Sequence, residues 1–237
     1  MSSRPPASIE TSVERAAARG VRLCVFDFDN CVLRVHSYGL KLTPADVARR
    51  DLERDFADLS FFRALVLALR RRGVAVAIAS FGSYEVIQAF LDRAFADADA
   101  AASLAAQPAR ATTAVPLTPA PAQQVFTRDN ISTPSSVGGT DGFTVPGGKN
   151  RQLEQLAARF GANADATLFF DDDDNNIGLA AAGAFRHAVL CPRGFGAESW
   201  ENAMMLLDGS VSVAELRASG GAASRAVHLV HSRAAAR

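Results

Sequence analysis

The chain has 237 residues, of which 49% are hydrophobic, so it is long enough to bury one sizeable core. Its 25 basic and 25 acidic residues give a formal net charge of zero, so we expect neither a nucleic-acid partner nor an acidic membrane surface. The apolar runs are too short to span a bilayer, and the three cysteines lack metal-ligand spacing and suit a reducing compartment. We therefore expect a cytoplasmic protein with one folded domain.

The first half of the chain alternates strand and helix patterns. Residues 1–19 are charged and lack a long apolar run, and we predict a disordered N-terminal lead there. Residues 21–26 and 74–80 are short apolar runs rich in β-branched side chains, which is typical of buried strands. Helices are predicted over residues 41–59 and 60–73, with Thr43 and Ser60 as N-caps, and over residues 84–95.

The second half begins with a segment of low complexity. Residues 97–124 consist mainly of alanine, proline, threonine and glutamine, and this composition predicts a disordered insert. A strand is predicted at residues 124–127, followed by a long loop rich in glycine and serine. Residues 209–237 are interpreted as a polar and basic C-terminal tail. The remaining predicted elements are helices at 149–161, 176–183 and 200–207 and strands at 166–170 and 186–192.

This alternation predicts the fold class. Strands that alternate with helices form a parallel sheet with helices wound on both of its faces. We therefore predict an α/β domain with a doubly wound parallel sheet over residues 20–208. The carboxyl ends of such strands lie along one edge of the sheet, which is where these folds build their binding sites.

Two aspartates follow directly on the first predicted strand, in the sequence CVFDFDNC. Residues two apart in an extended segment point to the same side, so Asp27 and Asp29 can face one cleft. Two solvated acids in a turn are the alternative. The pair alone leaves both interpretations open.

Two further polar residues stand where the chain enters a predicted helix. Ser80 ends the second strand, and a hydroxyl beside helix N-terminal amides can bind phosphate, although a serine there is often only an N-cap. Lys149 follows two glycines at a helix start, where the helix dipole disfavours a cation. A functional lysine and an ordinary exposed lysine both fit this position.

The sequence LFFDDDDNNIG places four consecutive aspartates directly after a buried strand. A calcium-binding loop would place ligands at Asp171, Asp173 and Asn175. That interpretation is excluded, because such a loop also needs glycine at its sixth position and glutamate at its twelfth, where Ala182 stands. A solvated charge run does not usually follow directly on a buried strand, so these aspartates are candidate metal ligands.

In their order along the chain, these signals resemble the four motifs of the haloacid dehalogenase (HAD) superfamily. The stretch FFDDDDNNI looks most like the fourth motif of its small magnesium-dependent phosphatases. The resemblance covers roughly residues 20–195, and Cys31 stands where the first motif commonly has threonine. The matching residues are Asp27 and Asp29 for the first motif, Ser80 for the second, Lys149 for the third, and Asp171, Asp172 and Asn176 for the fourth.

The resemblance implies a Rossmann-like core, a bound Mg²⁺ and hydrolysis of phosphate monoesters through an aspartyl-phosphate. It implies that Asp27 attacks phosphorus and that Asp29 acts as general acid and then general base. Lys149 is implied to hold the charge of the nucleophile and of the phosphoryl oxygens. Ser80 and the amides of Phe81 and Gly82 are implied to bind the phosphate. Asp27, the Asp29 carbonyl and Asp172 are implied to bind the metal directly, and Asp171 through water. Asn176 is implied to orient the fourth-motif loop.

Substrate access in this superfamily depends on a cap domain, inserted after the first motif or between the second and third. Residues 33–74 leave little room for a cap, and residues 97–124 do not resemble a packed one. We therefore expect no large cap domain and an open cleft. The expected substrate is a phosphorylated molecule of unknown class, and it could be as large as a phosphoprotein. Two alternatives remain open: a non-catalytic domain of this fold that binds a metal or a partner, and a phosphotransferase (mutase).

Overall fold

A five-stranded parallel sheet forms the centre of the protein and positions the candidate site. The computed structural model describes residues 8–105 and 124–219, with only the backbone described over residues 97–105. The strand order is β3-β2-β1-β4-β5, and every neighbouring pair is parallel. The predicted α/β class with a parallel sheet is confirmed. The strands are β1 (Leu23–Phe26), β2 (Ala75–Ala79), β3 (Ile131–Ser132), β4 (Thr167–Asp171) and β5 (His187–Leu190).

Helices cover both faces of this sheet. Alternate side chains of β1 point to opposite faces, as strand geometry requires: Cys24 and Phe26 join one apolar cluster, and Leu23 and Val25 join the other. Both clusters are buried, so the strands read as continuous apolar runs. The helices are α1 (Ile9–Ala18), α2 (Pro44–Val47), α3 (Leu52–Asp55), α4 (Leu59–Arg71), α5 (Tyr84–Ala105), α6 (Asn150–Arg159), α7 (Asp174–Ala182) and α8 (Ala197–Leu207).

The larger apolar cluster is built around aromatic rings. Phe26 of β1 stacks on Phe170 of β4, with ring centroids 5.0 Å apart and planes 8° apart. Phe195 meets both rings edge-on, at 4.8 Å from Phe26 and 4.9 Å from Phe170. Such pairs stabilise a core by roughly 0.5–1.5 kcal/mol beyond the area they bury. This aromatic layer lies directly beneath the sheet edge at which β1 and β4 end.

Three predicted elements differ from the structure in the middle of the chain. The strand predicted at residues 124–127 is wrong, because the edge strand is Ile131–Ser132, which is too short to show a pattern. The helix predicted over residues 41–59 is split into α2 and α3, since Asp51 caps a second helix by accepting from the Glu53 amide at 3.1 Å. α4 is capped by Asp58, not by Ser60, through the Phe61 amide at 3.0 Å.

The chain ends are also more ordered than predicted. The predicted disordered lead is wrong for α1, whose buried residues Val13 and Ala16 pack in the larger apolar cluster. Ser12 of α1 accepts a hydrogen bond from the Trp200 indole at 2.8 Å. Residues 213–219 of the predicted polar tail are helical and bury Leu216. Apolar residues at helical spacing explain both helices, because charged neighbours do not prevent one helix face from packing.

The predicted low-complexity insert overlaps α5, which continues to Ala105 instead of ending near residue 95. The rest of that prediction up to residue 123 lies outside the described residues, as do residues 1–7 of the predicted lead and residues 220–237 of the predicted tail. Between β1 and α4 the chain adds only the short helices α2 and α3. Within the described ranges, no helix combines the length and apolarity needed to cross a membrane.

Candidate functional site

The carboxyl ends of β1, β2 and β4 surround a small polar cavity. Its volume is about 160 Å³, and it opens at the edge of the sheet. The structure brings all the sequence-predicted site residues to this one place, although they lie as far apart in sequence as Asp27 and Asn176. The predicted residues that line it are Asp27, Asp29, Ser80, Phe81, Gly82, Lys149, Asp171, Asp172 and Asn176.

The loop after β1 folds back so that both of its aspartates reach the cavity. Asp27 remains extended and bonded to β4, with its amide 2.8 Å from the Phe170 carbonyl, and its side chain is buried. The chain then turns tightly over Phe28–Val32, where Asn30 takes a left-handed conformation with φ of 60°. Asparagine tolerates this conformation better than most residues. The turn leaves Asp27 and Asp29 at one cavity wall.

Asp29 is held by the loop that follows this turn. The Ser37 hydroxyl donates to one of its carboxylate oxygens at 2.7 Å, and the Tyr38 amide donates to the other at 3.2 Å. The His36 Nε2 atom lies 3.9 Å from the same carboxylate. These contacts fix the direction of the Asp29 side chain while leaving it at the cavity.

Lys149 is the only lysine or arginine among the described residues that line the cavity, and its side chain is 2% exposed. Its ammonium group pairs with Asp27 and lies 2.8 Å from an oxygen of Asp171. Gly148 precedes it at φ of 63°, and a Cβ there would lie 3.0 Å from the Asn176 side-chain oxygen. A glycine at this position therefore lets the start of α6 approach the loop after β4 closely.

The carboxylates outnumber the ammonium group, and the pKa shifts reflect this. Burial by itself lowers the pKa of Lys149, but the charges of Asp171 and Asp27 outweigh burial and raise it. Burial raises the pKa of Asp27 well above its usual range; Lys149 opposes this rise, and the charges of Asp171 and Asp172 add to it. The pKa of Asp172 is raised to about 6, first by burial and second by the charge of Asp171. The cluster therefore holds an excess of negative charge.

Asp171 and Asp172 differ in how many contacts they already make. Both Asp171 oxygens are used: one faces Lys149, one accepts from the Asp173 amide at 2.8 Å, and the Asn176 amide lies 3.2 and 3.3 Å from the pair. Asp172 is less buried and lines the cavity. The observed contacts favour Asp172 as the residue that offers oxygens to a ligand. The direct role of Asp172 and the water-mediated role of Asp171 stay predictions.

The turn after β2 presents Ser80, Phe81 and Gly82 to the cavity. The Gly82 amide donates to the Ser80 hydroxyl at 3.1 Å. The Phe81 ring centroid lies 5.2 Å from the Lys149 ammonium. Gln152 of α6 anchors the turn by donating to the Ser80 carbonyl at 2.9 Å and to the Ser132 carbonyl at 2.8 Å.

Sequence patterns do not reveal the residues that hold the side chains of the cavity in place. Ser37 and Tyr38 orient Asp29, Gln152 anchors the turn at Ser80, and the Asp173 amide holds Asp171. His36 also lines the cavity. The only sequence signal for Ser37 and Tyr38 is their short distance from the DxD pair.

The three carboxylates fit a hard metal ion. One oxygen from each of Asp27, Asp171 and Asp172 lies within 4.8 Å of the others, so these residues could hold a metal ion together. Histidine and cysteine are absent from this group, and carboxylate oxygens suit Mg²⁺, Ca²⁺ or Mn²⁺ better than a softer metal. A divalent cation would also balance the excess negative charge of the cluster.

The fold and the site define a parallel α/β protein with a buried lysine–carboxylate cluster at the carboxyl edge of its sheet. No protein-family model matches the chain, and no curated protein matches it significantly. The resemblance to the haloacid dehalogenase superfamily thus stays a prediction that rests on the four motifs.

Proposed function

We propose that this protein is a Mg²⁺-dependent phosphatase that hydrolyses phosphate monoesters through an aspartyl-phosphate. The observation that supports it most directly is the position of Lys149. A buried ammonium group lies between Asp27 and Asp171, and a second aspartate, Asp29, lines the same cavity. A lysine is buried among carboxylates at a considerable desolvation penalty, so this arrangement favours function over stability as its reason.

Asp27 is the proposed nucleophile. Its carboxylate oxygen forms a bond to phosphorus while the bond from phosphorus to the ester oxygen breaks, and the aspartyl-phosphate results. The ion pair with Lys149 keeps the side chain in one orientation and reduces its repulsion from the incoming phosphate. Asp27 and Asp172 would hold Mg²⁺, which supplies positive charge next to the phosphoryl oxygens when it is bound.

Asp29 is the proposed general acid and base. It donates a proton to the departing ester oxygen, so the leaving group departs as a neutral alcohol. It then removes a proton from the water that attacks the aspartyl-phosphate, which releases inorganic phosphate and restores Asp27. The hydrogen bonds from Ser37 and from the Tyr38 amide hold the Asp29 carboxyl group where both transfers occur.

The three equatorial phosphoryl oxygens need hydrogen-bond donors and positive charge around them. We assign these to the Ser80 hydroxyl, the amides of Phe81 and Gly82, and the Lys149 ammonium. Gln152 ties this turn to β3 and α6 by donating to the Ser80 and Ser132 carbonyls, which limits the movement of the turn. Preorganised donors of this kind lower the barrier because they do not have to reorient during the reaction.

The test is hydrolysis of p-nitrophenyl phosphate by the purified chain. We expect turnover with Mg²⁺, no turnover after exhaustive chelation, and no rescue by Ca²⁺, which takes more ligands in a looser geometry. Asp27→Asn should reduce turnover by about 10⁴-fold or more, because an amide does not attack phosphorus. The matched control is Asp165→Asn, at an exposed aspartate of the loop before β4, which should retain wild-type turnover.

Two results would contradict this proposal. Full activity in Asp27→Asn would exclude the covalent mechanism, and unchanged rates after chelation would exclude the metal. Mg²⁺ binding without hydrolysis of any phosphate ester would instead support the non-catalytic alternative. Transfer of the phosphoryl group to an added sugar in preference to water would support the phosphotransferase alternative.

A further inference from the structure

A second cavity, of about 420 Å³, adjoins the candidate catalytic cavity. The two cavities share Tyr38, and the turn after β2 contributes Gly82 to the first and its neighbour Ser83 to the second. The same two loops therefore form walls of both cavities. The residues that line the second cavity include Ser37, Tyr38, Lys41, Leu42, Ser83 and Val86.

The position of Asp29 relates this second cavity to the reaction. Asp29 is held by Ser37 and by the Tyr38 amide, and both of these residues line the second cavity. In the proposed mechanism the ester oxygen lies next to Asp29 when it receives a proton. Ser37 and Tyr38 thus bring the second cavity next to the carboxyl group that would serve the departing ester oxygen.

The chemistry of the walls indicates what this organic group is. Leu42, Val86 and the ring of Tyr38 provide apolar surface. Of the three hydroxyl groups in the wall, those of Ser37 and Ser83 already have partners, because Ser37 donates to Asp29 at 2.7 Å and Ser83 donates to Glu85 at 2.9 Å. The Tyr38 hydroxyl and the Lys41 ammonium are the other polar side-chain groups of this wall. A sugar would bring several hydroxyl groups that need partners, and few donors or acceptors are left for them here.

We infer that the second cavity binds the leaving group of the substrate, and that this leaving group is an apolar, ring-bearing alcohol and not a sugar. This inference rests on the proposed function and names its substrate class. A pocket with mainly apolar walls and few polar groups is typical of binding sites for organic molecules of this size. Tyr38 is 42% exposed, and its ring offers an aromatic face against which a flat group packs.

The test compares 2-phenylethyl phosphate with ethyl phosphate, using the full chain with Mg²⁺. Both esters release a primary alcohol, so they differ mainly in the phenyl ring and not in the reactivity of the ester. We expect kcat/KM to be roughly tenfold or more higher for 2-phenylethyl phosphate, mainly through a lower KM, because the ring is buried on binding.

Substitutions at two nearby leucines provide the matched comparison. Leu42→Asn places an amide in the wall of the second cavity and should lower the ratio of the two kcat/KM values by about fivefold or more. Leu40→Asn makes the same change at a residue that is 54% exposed and lines neither cavity, and it should leave the ratio at its wild-type value. If Leu42→Asn does not fold, Leu42→Ala is the milder variant, with a smaller decrease expected in the same direction.

The outcomes separate the inference from the proposed function. A wild-type ratio near one, or equal ratios in the Leu42 and Leu40 variants, would overturn the leaving-group assignment while ester hydrolysis continues. A higher kcat/KM for glycerol phosphate or glucose 6-phosphate than for 2-phenylethyl phosphate would overturn it as well. Absence of hydrolysis for every ester, p-nitrophenyl phosphate included, would instead overturn the proposed function, and the inference with it.

Discussion

Two buried layers lie one residue apart along β1 and β4, and burial affects their stability in opposite ways. Phe26 and Phe170 are paired in register and stack at 5.0 Å, and the next residues, Asp27 and Asp171, are only 4% and 1% exposed. The aromatic layer gains free energy from burial and ring contacts. The charged layer loses hydration, and Lys149 only partly compensates for it.

The difference indicates what each layer does. The aromatic layer holds the strand ends in register, so that two carboxylates emerge side by side. The charged layer then concentrates negative charge and one ammonium group at a place where water is scarce. Buried charges that lower the stability of the fold persist only where the surrounding structure supports them, and they occur mostly at functional sites.

Apart from substitution of the proposed nucleophile itself, the largest effect is expected when the charged layer loses its cation. Lys149→Met leaves Asp27 and Asp171 without their ion pair, so we expect turnover to fall by about 10³-fold or more. In chelator at neutral pH, the free energy of unfolding should fall by about 3–5 kcal/mol, because two buried carboxylates are left uncompensated. Activity assays and denaturant unfolding measure the two effects.

The matched control for this substitution is Arg217→Met. Arg217 pairs with Asp174 at 2.6 and 2.7 Å, but this ion pair is at the surface. Exposed ion pairs contribute about 0–1 kcal/mol, so this variant should be nearly as stable as the wild type. Equal losses of stability in the two variants would show that burial does not distinguish the two ion pairs.

The second prediction disrupts the aromatic layer. Phe170→Ala removes a ring that contacts both Phe26 and Phe195, and we expect the free energy of unfolding to fall by about 3–5 kcal/mol. Phe143→Ala, at a ring that is 62% exposed, should change it by less than about 0.5 kcal/mol. A small effect at Phe170 would mean that the stacked pair does not hold the strand ends together.

The third prediction uses pH to titrate the charged layer in the absence of metal. Asp172 has a pKa of about 6 in the folded protein, raised by burial and by the charge of Asp171 from an ordinary value of 3.8. Between these two values the folded protein binds more protons than the unfolded chain, so stability falls as pH rises through this range. The decrease in the free energy of unfolding that is attributable to Asp172 is up to about 3 kcal/mol.

The measurement is denaturant unfolding in chelator at pH 4 and at pH 7. Asp172→Asn lacks this carboxyl group, so its stability should decrease less between the two pH values than that of the wild type. Added Mg²⁺ should restore stability to the wild type at pH 7, since metal binding requires ionised carboxylates. Identical pH dependence in the two proteins would show that Asp172 is not buried in a negative environment.

The smallest effect is expected at the edge of the charged layer, where Ser37 orients Asp29. Asp29→Asn removes the proposed general acid and should lower turnover by about a hundredfold or more. Ser37→Ala removes one of the hydrogen bonds that orient Asp29 and should lower turnover by only about tenfold or less, which corresponds to roughly one such bond.

A positioning role for Ser37 has a distinct signature. Ser37→Ala should lower kcat and alter the pH profile of turnover through Asp29, whereas a variant that only loosens the fold leaves this profile unchanged. Ser37→Thr keeps the hydroxyl group and should recover most of the lost activity. An unaltered pH profile in Ser37→Ala would exclude the positioning role.

Strong local patterns predicted most of the sheet. The apolar runs that become β1, β2, β4 and β5 lie between polar segments and are long enough to recognise, and the aspartates stand immediately after two of them. The edge strand Ile131–Ser132 was missed, because two residues carry no periodicity and their pairing with β2 depends on the rest of the sheet. The order of the strands likewise follows from packing, which no single segment encodes.

The sequence by itself determined the class of the fold, the apolar strands and the candidate acidic residues, because burial and alternation act on neighbours along the chain. Only the tertiary structure decided that Lys149, 122 residues after Asp27, is buried against it, and that α1 is ordered because α4 and α8 cover its apolar face. It also decided that Ser37 and Tyr38 turn back to hold Asp29. Such contacts depend on loop closure and desolvation, which act between residues distant in sequence and leave no periodic pattern in it.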